Sequence, residues 1–120
     1  MNIEAYQAIL DSVKYPVVFV DNDHIIRFMN RAAKVRYYEK RGYSELIGKS
    51  LLDCHNPVSI NQIMQAYQRL RNGEGEVRLD LDQDKEKATV FVGVRDDNGR
   101  LLGYYERSER TNAEKSHISG

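Results

Sequence analysis

Two short apolar runs, Val17 to Val20 and His24 to Met29, flank the turn Asp21-Asn22-Asp23, and the second run leads directly into Asn30-Arg31-Ala32-Ala33. Apolar runs of this length on either side of an Asp/Asn turn read as a β-hairpin. Asn30 is then a helix N-cap, because its side-chain oxygen satisfies amides that the first helical turn leaves without partners. Strand, turn, strand and capped helix within so few residues is a tight constraint on what the rest of the chain can build.

The flanking segments extend the pattern. Ile3, Tyr6, Ile9, Leu10 and Val13 recur at helical spacing and put one apolar stripe on an N-terminal helix, which Pro16 brings to an end. Helix continues from Asn30 to Arg41, with Gly42 as the residue that closes it. Tyr43 to Gly48 reads as a further short helical turn closed by glycine, and Leu51 to His55 as another before Asn56-Pro57. Ser59 and Gln62 fit a capping box for a longer helix with Ile60, Ile63, Met64, Tyr67 and Leu70 on one face. Val77, Leu79 and Leu81 alternate with charged residues in a strand with one wet face. Ala88 to Val94 and Leu101 to Arg107 are two more strands, joined through Asp97-Asn98-Gly99, a tight-hairpin signal. The expected division is therefore a helix over 1–15, a domain over 16–107 and a polar tail over 108–120.

At 120 residues the chain is one domain by size, and 41% hydrophobic residues suffice for a core. Lysine and arginine together number 18, equal to aspartate and glutamate, so no global charge footprint for nucleic acid or an anionic membrane exists. A basic stretch at Arg31, Lys34, Arg36, Lys40 and Arg41 reads as a solvated helix face. Cys54 is the single cysteine, which excludes an intramolecular disulfide and points to a reducing compartment. No signal peptide or apolar run of membrane-spanning length is visible, so the expected location is the cytoplasm.

The element order resembles the PAS fold, an α+β architecture in which helices cover one face of a five-stranded antiparallel sheet. Particular residues carry the resemblance: Phe19-Val20-Asp21 with Ile25-Ile26, Asn30-Arg31-Ala32-Ala33, Tyr43-Ser44-Glu45-Leu46-Ile47-Gly48-Lys49-Ser50, and Val94 through Gly103 around the Asp-Asn-Gly turn. The segment Leu52-Asp53-Cys54-His55-Asn56-Pro57-Val58-Ser59 resembles a narrower PAS group with a Cys-His-x-Pro-x-Ser signature. What the resemblance implies is a sensory or regulatory module that binds a small molecule or cofactor between helices and sheet and signals through dimerisation and its flanking segments. The alternative is a ligand-free protein–protein interaction domain.

Within that frame His55, Tyr67, Met64, Ile63 and Phe28 are the expected cavity residues. Asn30 is a further candidate, though capping its own helix is the simpler role. Because some PAS domains hold haem through a histidine of this region, His55 is also a candidate haem ligand; the competing role is bonding within its own turn. Flavin is not expected: Gly48-Lys49-Ser50-Leu51 stands where the light-sensing relatives carry a Gly-x-Asn-Cys motif. Cys54 then reads as a small buried hydrophobe. Asp80, Asp82 and Asp84 lack the glycine and glutamate of a calcium loop and read as a wet strand face. Of Tyr37-Tyr38 and Tyr104-Tyr105, one member of each pair should pack and the other reach a cavity or interface. Ile3, Tyr6, Leu10 and Val13 are the expected homodimer face. No acid–base or nucleophile constellation suggests an enzyme, and a downstream signalling module is the expected partner.

Overall fold

The computed structural model describes residues 2–79 and 87–110. Helix α1, Ile3–Asp11, starts at Asn2, whose side chain accepts from the Ala5 amide. Strands β1, Val18–Asp21, and β2, Ile26–Met29, form the expected hairpin. Asp21 organises its turn: Oδ1 accepts from the Asp23 and Ile25 amides at 2.9 and 3.0 Å, and Oδ2 receives Arg27 Nε at 2.7 Å. His24 adopts φ of 64°, a left-handed conformation uncommon for a non-glycine residue, so the second strand opens later than the apolar run suggests.

The chain then enters α2, Arg31–Lys34, which widens into a π-helical turn, Val35–Lys40. The Arg41 amide closes that turn on the Arg36 carbonyl, five residues back. A 3₁₀ turn, Leu51–Cys54, leads to α3, Pro57–Arg71, and three strands follow: β3, Glu76–Leu79, β4, Lys87–Arg95, and β5, Leu101–Arg110. The sheet is antiparallel throughout in the order β2-β1-β5-β4-β3. Helix α3 packs over β3 and β4, and Val18, Val20, Ile26, Met29, Ile63, Leu70, Phe91 and Tyr104 make the core. Tyr104 stacks on Phe91 with ring centroids 4.7 Å apart. Where β5 crosses β1, a side chain at Gly103 would put its Cβ 2.3 Å from the Val20 carbonyl oxygen, so only glycine allows the strands to meet there.

Four further expectations change. Tyr43 to Gly48 is irregular chain that ends in a turn, not helix. Its backbone is pinned by Tyr38, whose hydroxyl accepts from the Leu46 amide at 3.1 Å and donates to Glu45 Oε1 at 2.5 Å, so helical bonding is not needed. The long helix begins at Pro57 rather than at Ser59. Its cap is Asn56, which accepts from the Ser59 amide at 2.9 Å, and the fixed φ of Pro57 suits the first helical position. Cys54 is exposed, not buried, because a 3₁₀ turn of four residues buries only Leu51. β5 continues through Arg110, past the expected end at Arg107, because β4 pairs with it to Lys87. The reading of Asp80, Leu81, Asp82 and Asp84 lies outside the described residues, as does the tail from residue 111. No helix among the described residues is long and apolar enough to cross a membrane.

Candidate functional site

A cavity of about 220 Å³ lies between the π-helical turn, the 3₁₀ turn and the covered face of the sheet. Its floor is apolar, built by Val18 of β1, Ile26 and Met29 of β2, and Leu46 and Leu51 from the segment between helices. One wall is polar. Arg36, Tyr37 and Arg41 enter from the π-helical turn and the residue that caps it, Tyr43 and His55 from the loops, and Thr89, Glu106 and Ser108 from β4 and β5. An i→i+5 turn is the local reason that Arg36 and Arg41 share this wall, since wider winding changes which residues point to one side.

The wall is cross-linked. The Tyr37 hydroxyl donates to Glu106 Oε1 at 3.2 Å, and Arg36 Nη1 donates to Ser108 Oγ at 3.2 Å. The Arg41 guanidinium lies 5.4 Å from the Tyr37 ring centroid, and Tyr43 stands 6.3 Å from the same ring in a tilted arrangement. Burial raises the Tyr37 hydroxyl well above the usual phenol value, and the Glu106 carboxylate raises it further, so this group stays a neutral donor. Burial lowers His55 below the ordinary imidazole value. A neutral ring at the cavity edge offers one donor and one acceptor nitrogen. The site therefore presents cations, an anion and neutral hydrogen-bonding groups over an apolar floor, the make-up of a pocket that orients a small polar molecule.

Of the residues singled out from sequence, His55, its neighbour Cys54 and Tyr37 line this cavity, whereas Phe28, Asn30, Ile63, Met64 and Tyr67 do not. Phe28 lies across from Phe19 on the opposite face of the sheet from Val18 and Val20. A bulge at Arg27 switches the alternation of β2, so Ile26 and Met29 face inward and Phe28 does not. Ile63 and Tyr67 are buried in the core under α3, and Met64 is 41% exposed, one step around that helix. Asn30 is fully buried and committed to the backbone: Oδ1 accepts from the Val17 and Ala33 amides, and Nδ2 donates to the carbonyls of Leu10, Val13 and Tyr15. In the tyrosine pairs, Tyr37 reaches the cavity and Tyr104 packs in the core, while Tyr38 pins the loop and Tyr105 takes the other face of β5.

The basic stretch divides in the same way. Arg31, Lys34 and Lys40 are exposed, whereas Arg36 is half-buried in the cavity wall. Sequence reasoning missed Arg36, Arg41 and Glu106 and left open which of Tyr37 and Tyr38 reaches the cavity; these groups meet only because β5 runs beside β1 at the foot of the π-helical turn. Among the described residues no cluster of three or more His, Cys, Asp or Glu side chains is arranged to hold a metal ion.

A family model described as the PAS domain matches residues 6–108, nearly the whole described chain. The chain is a PAS domain. Solved structures agree on the fold. This PAS domain aligns with a C-terminal domain from Streptococcus mutans over 98% of its own length and 90% of the other, at 19% identity and a TM-score of 0.75. It aligns with the PAS domain of Bordetella pertussis BvgS over 98% and 91%, at 13% identity and a TM-score of 0.64. The Aer2 receptor of Vibrio cholerae, described as a dual PAS-haem oxygen sensor, aligns over 82% and 95%, at 17% identity and a TM-score of 0.53. No curated protein sequence matches the chain.

Proposed function

We propose that this PAS domain is a sensory module whose signal is a small polar organic molecule held in the cavity beside His55. The observation that carries the reading is the polar wall over an apolar floor. Arg36 and Arg41 suit an anionic group, Glu106 and the neutral Tyr37 hydroxyl suit a donor and an acceptor, and Met29, Leu46 and Leu51 cover an apolar body. Ligand binding shifts an equilibrium only between states that hold the ligand differently. The π-helical turn is the element whose winding such a ligand would bias, because it and its cap residue supply three of the polar groups.

Haem, the cofactor of the Vibrio cholerae receptor, does not fit this reading. The cavity is smaller than the roughly 300–1,000 Å³ of cofactor and drug-sized pockets, and α3 contains no histidine. His55 then acts as a hydrogen-bonding group rather than a metal ligand. Signal output in this reading runs through a homodimer built on α1, where Ile3, Tyr6 and Ile9 are exposed and Leu10 and Val13 are half-buried.

The test is a thermal-shift and ligand-observed NMR screen of small carboxylates, amino acids and amides against the protein and its Arg36→Gln and His55→Ala variants. The expected result is at least one compound that raises the midpoint of the parent protein and loses roughly tenfold or more affinity in Arg36→Gln, the effect of removing one charge-assisted hydrogen bond. Hits that bind both variants as tightly as the parent would overturn the site. No hit at all would leave the ligand-free interaction domain as the better reading.

A further inference from the structure

A second cavity, of about 370 Å³, opens at the other side of α3 and is lined by Asn22, Tyr67, Arg71, Arg95, Arg100 and Leu101. Three of its six lining residues are arginines and none is an acid, in a chain whose formal charge is zero. The arginines come from separate elements: Arg71 from the last turn of α3, Arg95 from the end of β4, and Arg100 from the turn before β5.

Each neighbouring carboxylate in the surrounding turns has its own partner or lies off the lining. Asp96 accepts from the Asn98 and Arg100 amides in the β4–β5 turn, Asp21 is paired with Arg27, and Glu74 with Arg69. Asp23 and Asp97 are exposed and not among the lining residues. Like charges are not gathered without cost, so a cavity of this make-up has its potential set for an anion.

The walls are built rather than loose. Asn22 Nδ2 donates to the Leu101 carbonyl at 2.9 Å, and its Oδ1 accepts from the Tyr67 hydroxyl at 3.0 Å, which ties the β1–β2 turn to α3 and β5. Arg95 donates through Nη1 to the Gly99 carbonyl at 2.9 Å and through Nη2 to the Leu70 carbonyl. The second bond occupies one of the carbonyls that end α3. It thereby offsets the partial negative charge of that helix terminus, which alone would repel an anion. The guanidinium groups of Arg71 and Arg100 make no ion pair among the described residues and are exposed.

We propose that this cavity is a second ligand site, for a small phosphate monoester. Two guanidinium forks with no ion pair among the described residues, beside a third, fixed one, suit a doubly charged oxyanion with several acceptor oxygens, which arginine binds in bidentate fashion. The ring of Tyr67 and the side chain of Leu101 give the organic part an apolar side to rest on. The site is independent of the His55 cavity, with which it shares no lining residue.

The test follows backbone and arginine side-chain resonances of the full chain by NMR, at a pH of about 7.5 where the phosphoryl group is mostly dianionic. The probes are inorganic phosphate and phenyl phosphate, with sodium chloride at matched ionic strength as the control. The expected result is a saturable shift centred on Arg95 to Leu101 and Tyr67 to Arg71 with phenyl phosphate, weaker with inorganic phosphate and absent with chloride. Arg71→Gln with Arg100→Gln should weaken phenyl phosphate roughly tenfold or more. Both residues are exposed, so an unchanged amide spectrum elsewhere verifies that the variant is folded. Shifts that do not saturate, that match the chloride control, that fall on the His55 cavity, or that persist at full affinity in the variant would overturn the proposal.

Discussion

Asn30 joins three parts of the chain through one side chain. Its oxygen holds the first turn of α2 and the entry to β1, and its amide nitrogen holds the exit from α1. Asn30→Ala removes a helix cap, worth about 1 kcal/mol, and also leaves buried amides and carbonyls without partners, at about 1–3 kcal/mol more. Urea unfolding should therefore show a loss of roughly 2–4 kcal/mol with the slope unchanged; a loss below about 1 kcal/mol would show that water replaces the side chain. His24 makes a different kind of demand. Its ring is buried against Tyr67, centroids 4.7 Å apart, and Nδ1 lies 2.8 Å from the Tyr104 hydroxyl. Burial lowers its pKa from the ordinary 6.5, and the carboxylates of Asp21 and Asp23 only partly oppose this. The unfolded chain then binds a proton more readily than the folded one, so the stability this group gives is complete above about pH 6.5 and falls as the pH drops below it. His55 is lowered by burial too and adds in the same direction. Asp21 does not contribute in this window: burial opposes its ionisation, but Arg27 and two turn amides outweigh that and hold it below the ordinary 3.8. The urea midpoint should fall between pH 7.5 and 5.5, and fall less in His24→Asn, a residue that tolerates the left-handed backbone. An equal fall in parent and variant would exclude His24 as a source.

At the scale of elements, strands were more legible than the places where they irregularly meet. Alternation of Val77 and Leu79, the Asn-Gly turn and the Asn30 cap are each determined by neighbours in the chain, and each appears as expected. The face on which Phe28 lies is not local. It follows from a bulge that exists only because β1 and β2 pair with a shifted register, and no residue near Arg27 announces it. The π-helical turn is similar, since Val35 to Lys40 has the composition of an ordinary helix, and its extra width appears in the bond from Arg41 to Arg36. This explains why His55 was legible as a site residue, and Tyr37 as one member of a pair, while Arg36 and Glu106 were not: their meeting requires both the π-helical winding and the register of β5. The start of α3 was legible in principle. Asn-Pro is a strong cap and first-turn pair, and it outweighs the weaker box at Ser59 and Gln62.

For the molecule as a whole, size and composition specified one core, and the chain's first helix, tied to α2 and Asn30, lies beside that core rather than in it. No residue of α1 is buried: Ile3 is 73% exposed and Ile9 53%, although the helix is amphipathic and capped at its start. Short helices in water owe most of their stability to packing of an apolar face, so nine residues with an uncovered face need a partner. A second copy is the simplest occupant, since a two-fold axis would bring the same stripe from each protomer together. The outer face of the sheet adds to the surface available, with Phe28, Phe19, Tyr105 and Val92 in register across four strands and all partly exposed. Ile3→Asp with Ile9→Asp removes two aliphatic contacts per protomer, each counted twice in a symmetric interface. At about 1.5–3 kcal/mol for each fully buried side chain, even half-burial raises the dissociation constant roughly a hundredfold or more. Sedimentation velocity at micromolar concentration should show a dimer for the parent and a monomer for the variant, with the same circular dichroism beyond the loss of α1. A monomeric parent would rule out the dimer, and a dimeric variant would move the interface from α1 to the Phe28–Phe19–Tyr105 face.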